Sequence, residues 1–286
     1  MRLKALLGDY PVTRALKDGR ARSPSLEFDF ADVKVPNTAF KRVVRDLEFD
    51  VAELAIVTFL MAKAHGKALA LLPAVMFGRF QHPYLVCVHD LSPKALEGKR
   101  VAIRSSSVTT VAWIRGILAD DHGVDLDRVK WVTFEDAHVA EYRDPPGVER
   151  AADGKTPLGM LLAGEVDAAV LAEPLPKDER LKSVIPDPAA AAQDWHRRNG
   201  ALQINHMVVV KQTLEPKIVR ELFSLLSQSK KLSQEIPKPS VETSPFGVEA
   251  NRRNLEVAID YVFRQKLIPR RYAVDELFDD VTRSLA

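Results

Sequence analysis

The sequence predicts an α/β fold built as two lobes, with two largely parallel sheets flanked by helices and a ligand cleft between the lobes. Short apolar or alternating segments, typical of strands, alternate with segments of helical periodicity along the chain. Apolar crossings near Val86 and Val208 bracket the middle of the chain. We therefore expect lobe 1 to comprise residues 1–88 and 205–286, and lobe 2 to comprise residues 89–204. A chain of 286 residues is long enough for two such domains.

The first lobe is predicted to begin with alternating strands and helices. Apolar or alternating patterns indicate strands at residues 3–7, 26–30, 50–54, 69–76 and 84–88. Apolar positions three and four apart indicate helices at residues 12–17, 36–47 and 56–65. The last of these helices is closed by Gly66, a residue suited to a helix end.

The second lobe and the return to the first follow the same patterns. Strands are predicted at residues 101–103, 129–134, 166–171, 183–185 and 203–211. Helices are predicted at residues 108–118, 156–164, 188–199, 215–232, 248–267 and 274–285. The polar segment 135–155, which contains Pro145-Pro146-Gly147, is expected to form a loop.

A hydroxyl-rich turn joins the strand at 101–103 to the helix that follows it. Its hydroxyl residues are Ser105, Ser106, Ser107, Thr109 and Thr110. The first N–H groups of a helix lack intrahelical partners and favour an anion, and hydroxyls add further donors. The turn is therefore a candidate seat for a carboxylate or phosphate, although any one serine also suits a simple helix cap.

Arg115 supports the ligand interpretation of this turn. It falls on the apolar face of the same helix, beside Val111 and Leu118, where a charge requires a partner.

Composition excludes several functional classes. The 41 basic and 39 acidic residues nearly balance, and no block of like charge indicates nucleic acid or a membrane surface as a partner. The lone Cys87 lies in an apolar run and is expected to be a buried thiol. The apolar run near the start is too short for a signal peptide, and no run is long enough to cross a bilayer. We expect a cytoplasmic protein. The sequence is compatible with a homo-oligomer.

Several motifs resemble one family over nearly the whole chain. They are Gly8-Asp9-Tyr10, Phe49-Asp50-Val51-Ala52-Glu53, Gly78-Arg79-Phe80-Gln81-His82, Thr110-Val111-Ala112-Trp113-Ile114-Arg115-Gly116, Gly164-Glu165-Val166-Asp167-Ala168 and Pro245-Phe246-Gly247-Val248-Glu249-Ala250-Asn251-Arg252. With these motifs the chain resembles the 4,5-dihydroxyphthalate decarboxylase family, whose members are cytoplasmic and have a type II periplasmic-binding-protein-like fold. The resemblance implies a bilobed architecture and decarboxylation of an aromatic acid without an organic cofactor.

Decarboxylation of a hydroxyarene requires a carboxylate anchor and a positioned acid that protonates the ring carbon. Arg79 is the predicted anchor, because its planar fork matches a carboxylate. His82 is the predicted leading proton donor, and His206 an orienting or second proton-transfer group. Glu53 ends a strand and is predicted to accept a phenol proton or orient a histidine. Asn251, near the start of its helix, is a candidate substrate contact.

Other interpretations of these residues stay open. A histidine within an apolar strand is often a core residue, and Arg79 could pair with Glu53 for structural reasons alone. No cofactor is predicted, although His82, His206 and Glu53 offer donors that bind a divalent metal. The expected partner is a small aromatic carboxylate. The alternative function is a non-catalytic, bilobed binding protein for a small aromatic or heterocyclic anion.

Overall fold

The structure of the chain is a computed structural model that describes residues 1–233 and 241–286. The strands are β1 (Arg2–Leu6), β2 (Glu27–Phe30), β3 (Val51–Ala55), β4 (Leu69–Gly78), β5 (Leu85–Cys87), β6 (Arg100–Ile103), β7 (Lys130–Thr133), β8 (Glu149–Arg150), β9 (Ala168–Val170), β10 (Lys182–Ser183) and β11 (Ile204–Lys211). The α-helices are α1 (Pro11–Lys17), α2 (Phe40–Arg45), α3 (Ile56–Ala64), α4 (Thr109–His122), α5 (Pro157–Leu162), α6 (Pro188–Asn199), α7 (Pro216–Leu232), α8 (Val248–Arg264) and α9 (Asp280–Arg283).

The chain divides into two compact units. Unit 1 contains Met1–Arg79 and Ile204–Ala286, and unit 2 contains Phe80–Gln203. Residues 80–88, predicted to close lobe 1, belong to unit 2. The reason is that β5 pairs with β9 and β10 rather than with the sheet of unit 1.

The sheet of unit 1 has the strand order β2-β1-β3-β11-β4. Strand β1 is parallel to β2 and β3, whereas β11 runs antiparallel to both β3 and β4. The carboxyl ends of β1, β3 and β4 therefore lie at the same edge as the start of β11. This edge is where ligands bind in open α/β sheets.

Helices cover the unit 1 sheet because its strands are apolar. In β11, Val208 and Val210 join a core cluster that includes Leu222 and Leu226 of α7 and Val12 of α1. Helices α3 and α8 contact each other and also contact β11. This packing confirms the predicted sheet flanked by helices.

The sheet of unit 2 has the strand order β10-β5-β9-β6-β7-β8. Strand β6 is parallel to β7 and β9, while β5 is antiparallel to its neighbours. Val111 and Ile114 of α4 pack in a cluster with Val101 of β6, and Leu161 of α5 packs in a second cluster with Ala102. Because adjacent strand residues point to opposite faces, the two helices lie on opposite sides of this sheet.

Some predicted elements are shorter or divided in the structure. The segment predicted as a helix at residues 36–47 is a 3₁₀ turn at Pro36–Ala39 followed by α2, and the final segment is a turn at Val274–Leu277 followed by α9. The short β8 lies within the segment predicted to be a loop. Among the helices of the described residues, none has the length and apolar character needed to cross a bilayer.

Candidate active site

A buried carboxylate lies at the carboxyl edge of the unit 1 sheet. Glu53 of β3 has no solvent exposure, and every residue of this strand is buried. Its Oε2 accepts a hydrogen bond from the Gly8 amide at 2.7 Å. Its Oε1 accepts from the Tyr10 hydroxyl at 2.8 Å and from Nδ1 of His206 at 3.0 Å. These three donors compensate a charge that would otherwise be costly to bury.

Strand pairing brings Glu53 and His206 together. Val208 of β11 lies opposite Glu53, and His206 lies opposite Ala55. The alternation of side chains along a strand then places Glu53 and His206 diagonally on one face, within reach of each other. The sequence predicted a role for both residues, and the structure pairs them directly.

The hydrogen bond to Glu53 determines which nitrogen of His206 is available. A carboxylate only accepts, so Nδ1 carries the proton in this bond and Nε2 is left for another partner. The rings of Phe40 and Phe77 lie 5.1 Å and 5.7 Å from the imidazole ring. The side chain remains 14% exposed, so it is partly accessible to a bound molecule.

Tyr10 is a site residue that the functional analysis of the sequence missed. Its ring stacks on Phe77, with centroids 5.9 Å apart and planes inclined by 10°. Burial, together with the Glu53 carboxylate, raises the pKa of the Tyr10 hydroxyl well above its usual value, so it stays a donor. The available signal was the position of Gly8-Asp9-Tyr10 directly after β1, at the ligand edge of the sheet.

Arg79 follows β4 at the same edge of the sheet. Its guanidinium lies over the Phe77 ring, 5.1 Å from the centroid, in a cation–π contact. Phe77 also contacts His206, so the predicted carboxylate anchor and the Glu53–His206 pair share one aromatic neighbour. Unit 1 therefore brings together three predicted site residues, Arg79, Glu53 and His206. Tyr10, which was not predicted, belongs to the same group.

His82 is a buried residue of unit 2. It has no solvent exposure, and neither ring nitrogen has a hydrogen-bond partner within residues 1–233 and 241–286. The rings of Phe80 and Trp195 lie 6.5 Å and 6.4 Å away. Burial lowers the pKa of His82 to about 4, so the side chain is neutral at pH 7. This environment argues against the predicted role of His82 as the leading proton donor.

The burial of His82 predicts a loss of stability in acid. Its folded pKa of about 4 lies below the ordinary value of 6.5, so the unfolded chain binds the proton more tightly. Unfolding free energy should therefore fall by roughly 2–3 kcal/mol more between pH 7.5 and pH 4.5 in the wild type than in His82→Phe. Urea unfolding at both pH values measures this difference. The exposed control His65→Asn should lose as much unfolding free energy between the two pH values as the wild type. An equal loss in His82→Phe would contradict the lowered pKa of His82.

The hydroxyl-rich turn lies in unit 2, between β6 and α4. Ser105, Ser106 and Ser107 are all buried, as are Thr109 and Thr110 at the start of α4. The helix cap is Val108, and no side chain caps it. The serines therefore do not serve as the simple helix cap considered from the sequence, and the seat for an anion remains a prediction.

Arg115 is a buried cation behind this turn. Only 7% of the residue is exposed, and its guanidinium lies over the Trp131 ring, 4.1 Å from the centroid. Nη1 donates a long hydrogen bond of 3.5 Å to the Ser106 carbonyl, while Nε has no partner within the described residues. Burial lowers the pKa of Arg115 to about 10, which still leaves it charged at pH 7. The Asp144 carboxylate favours the charged form of Arg115, and the unpartnered Nε leaves one donor for an anionic ligand.

Asn251 has a structural role in unit 1. Its Nδ2 donates to the carbonyl oxygens of Pro245 and Gly247 at 3.0 Å and 2.9 Å, and its Oδ1 accepts from Asn254. The residue is fully buried. These bonds hold the turn that precedes α8, so the amide is engaged by the backbone rather than directed to a substrate.

The metal alternative named His82, His206 and Glu53 as ligands. Glu53 and His206 lie in unit 1 and use Oε1 and Nδ1 in their mutual hydrogen bond, whereas His82 is a buried residue of unit 2. Across residues 1–233 and 241–286, no group of three His, Cys, Asp or Glu side chains has a geometry that could hold a metal ion. Unit 1 by itself therefore holds two of the three proposed ligands, Glu53 and His206.

Comparison with known proteins supports the resemblance seen in the motifs. No protein-family model matches the chain. The chain is 28% identical over 213 residues to the 4,5-dihydroxyphthalate decarboxylase of Pseudomonas putida, covering 69% of this chain and 82% of the relative. This chain is similar to an aromatic acid decarboxylase.

Solved structures show the fold. The alkanesulfonate-binding protein SsuA of Xanthomonas axonopodis pv. citri, bound to MOPS, has a TM-score of 0.58 at 15% identity and covers 97% of this chain and 98% of its own. The periplasmic aliphatic sulphonate binding protein SsuA of Escherichia coli has a TM-score of 0.58 at 12% identity, covering 97% of each chain. The predicted periplasmic-binding-protein-like fold is thus confirmed.

Proposed function

We propose that this protein decarboxylates a hydroxylated aromatic carboxylic acid similar to 4,5-dihydroxyphthalate. The observation that carries the proposal is the Glu53–His206 pair, in which a buried carboxylate holds Nδ1 of a partly exposed imidazole. Similarity to the 4,5-dihydroxyphthalate decarboxylase of Pseudomonas putida supports the choice of substrate class. The cytoplasmic location predicted from the sequence is part of the same proposal.

The proposed reaction uses one proton for each carbon dioxide released. A hydroxyl para to the carboxylated carbon supplies electron density to that carbon as its own proton is shared or lost. The carbon then takes a proton from a positioned acid, which forms a C–H bond. The bond to the carboxylate breaks, its electron pair restores the aromatic ring, and carbon dioxide leaves. Solvent returns the proton to the acid.

Three residues of the unit 1 site have roles in this scheme. His206 delivers the proton from Nε2, because Nδ1 is held by Glu53. Glu53 stabilises the imidazolium form through this bond, as a buried carboxylate does for other catalytic histidines. Arg79 binds a substrate carboxylate, since its guanidinium lies beside the same Phe77 ring as His206.

Arg115 and the hydroxyl-rich turn are proposed to bind a carboxylate in unit 2. Replacing Arg115 with glutamine is expected to weaken binding of 4,5-dihydroxyphthalate by about 10- to 100-fold, because a charge-assisted pair is removed. Isothermal titration calorimetry measures the change. The matched control is Arg104→Gln, which removes a partly exposed partner of Glu135 and should leave affinity within about twofold of the wild type. Unchanged affinity in Arg115→Gln would remove this seat from ligand binding.

A second candidate function is binding without chemistry. The buried Arg115 favours it, and so do the sulfonate-binding proteins that share the fold. In that case the protein would be a receptor for a small aromatic anion. It would bind a member of the substrate panel described next without releasing carbon dioxide.

Carbon dioxide release from a panel of hydroxylated benzoates and phthalates separates the two functions. We expect release from 4,5-dihydroxyphthalate or a close analogue, with the same rate after treatment with a chelator. Release that stops on chelation and returns with added metal would contradict the metal-free scheme. Tight binding of a panel member without release would establish the receptor function in place of the enzyme.

A further inference from the structure

The turn that follows β1 aims two donors at the two oxygens of Glu53. The Gly8 amide reaches Oε2, and the Tyr10 hydroxyl reaches Oε1. Thr13 holds the turn, because its hydroxyl donates to the Gly8 carbonyl at 2.7 Å and accepts from the Tyr10 amide at 3.0 Å. The segment therefore fixes where both donors point.

The Tyr10 ring lies directly against the Gly8 backbone. A Cβ on Gly8 would lie 2.5 Å from Cε2 of Tyr10 and 2.9 Å from its hydroxyl oxygen. Only glycine allows this approach, which brings the phenol over the buried end of Glu53. The Tyr10 ring is also held by stacking on Phe77. The hydroxyl thus has a defined position rather than an adaptable one.

Tyr10 and His206 share a single oxygen atom. Oε1 of Glu53 accepts from the Tyr10 hydroxyl at 2.8 Å and from Nδ1 of His206 at 3.0 Å. A stronger bond from the phenol withdraws negative charge from this oxygen and weakens its attraction for an imidazolium. We propose that Tyr10 is a positioning residue that sets the proton affinity of His206 through the shared oxygen of Glu53.

Charged side chains near this pair include Arg79, Asp9 and Arg14. Arg79, at the end of β4, contacts the Phe77 ring that also contacts His206. Asp9 and Arg14 flank Tyr10, but they form an exposed pair 3.9 Å apart in which water screens both charges. The Tyr10 hydroxyl is therefore the neutral group whose removal changes the environment of His206 without changing any charge.

The test is an NMR titration of histidine-labelled protein, with the His206 signal assigned by its loss in His206→Asn. Tyr10→Phe keeps the ring stacked on Phe77 but removes the donor to the shared oxygen, so the His206 signal is expected to titrate at higher pH than in the wild type. The matched control is Tyr272→Phe, which removes a hydroxyl elsewhere in unit 1 and should leave the His206 pKa unchanged. An unchanged or lower His206 pKa in folded Tyr10→Phe would overturn the inference.

A second variant tests the same inference without removing the hydroxyl. Site-specific 3-fluorotyrosine at position 10 is a stronger donor, so it should lower the His206 pKa. A shift in the same direction as Tyr10→Phe would overturn the inference, because the two changes act oppositely on the shared oxygen.

The effect on turnover rests on the proposed function, whereas the NMR readout does not. If the protein is an enzyme, the alkaline limb of kcat/KM for 4,5-dihydroxyphthalate moves up with the His206 pKa in Tyr10→Phe. If the His206 titration shifts in Tyr10→Phe but the wild-type protein releases no carbon dioxide, the role of Tyr10 stands and the proposed reaction is wrong. If Tyr10→Phe turns over normally and the His206 titration does not shift, the role of Tyr10 is wrong and the proposed reaction stands.

Discussion

Replacing His206 with asparagine is expected to lower kcat/KM for decarboxylation by about 100- to 10,000-fold, the usual contribution of a general acid. Asparagine retains a donor close to the position of Nδ1, so the bond to Glu53 can be kept. It has no counterpart of Nε2, the nitrogen to which we assign proton delivery. Steady-state kinetics with 4,5-dihydroxyphthalate measures the change, and unfolding curves show whether the fold is retained.

The matched control for this variant is His65→Asn. His65 is an exposed histidine just after α3 in the same unit, and its backbone rather than its ring closes the helix. Its replacement should leave kcat/KM within about twofold of the wild type, as expected for a surface substitution. Wild-type turnover in folded His206→Asn would show that another group protonates the ring carbon.

Glu53→Gln is expected to reduce both turnover and stability. Glutamine has the shape of glutamate, but its NH₂ group cannot accept hydrogen bonds from Gly8, Tyr10 or His206, so at least one buried donor is left unpaired. We expect the unfolding free energy to fall by about 3 kcal/mol, in the range for breaking a buried charged network. Turnover should fall by at least about 100-fold, because the imidazolium form of His206 loses its stabilising charge.

Urea unfolding and steady-state kinetics measure the two effects of Glu53→Gln. Glu249→Gln is the matched control, because Glu249 is a largely exposed carboxylate paired with Arg252 on α8. An exposed pair of this kind contributes at most about 1 kcal/mol, and the control should remain active. Full stability in Glu53→Gln would mean that the carboxylate is not the acceptor that organises this site.

Much of the fold follows from local sequence pattern. The apolar, β-branched run around Val208 predicts β11 almost to the residue, and the strand that contains Glu53 is predicted one residue early. The boundary between the units was harder to predict from the sequence, because strand pairing determines it. The segment at 84–88 has the pattern of a strand in either unit, and only its pairing with β9 and β10 assigns it to unit 2.

The candidate site could be predicted only in part, because local pattern identifies polar residues in apolar strands but does not show which of them become neighbours. Glu53 and His206 stand out as polar residues in apolar strands, and pairing then makes them neighbours. Tyr10 depends on a close approach to Gly8, which no periodicity reveals. His82, like His206, is a histidine in an apolar stretch of sequence. In the structure, however, the rings of Phe80 and Trp195 lie beside it. Asn251 was predicted to contact the substrate, but it lies on the buried side of its helix, where its amide donates to backbone carbonyls.

The isotope content of product formed in D₂O tests the central claim most directly. If His206 delivers a solvent-derived proton to the ring carbon, each molecule of product from 4,5-dihydroxyphthalate carries one carbon-bound deuterium at the position that held the departing carboxylate. Mass spectrometry and proton NMR locate that deuterium. Product without deuterium at this carbon, or tight binding of the substrate with no product at all, would contradict the proposed proton transfer.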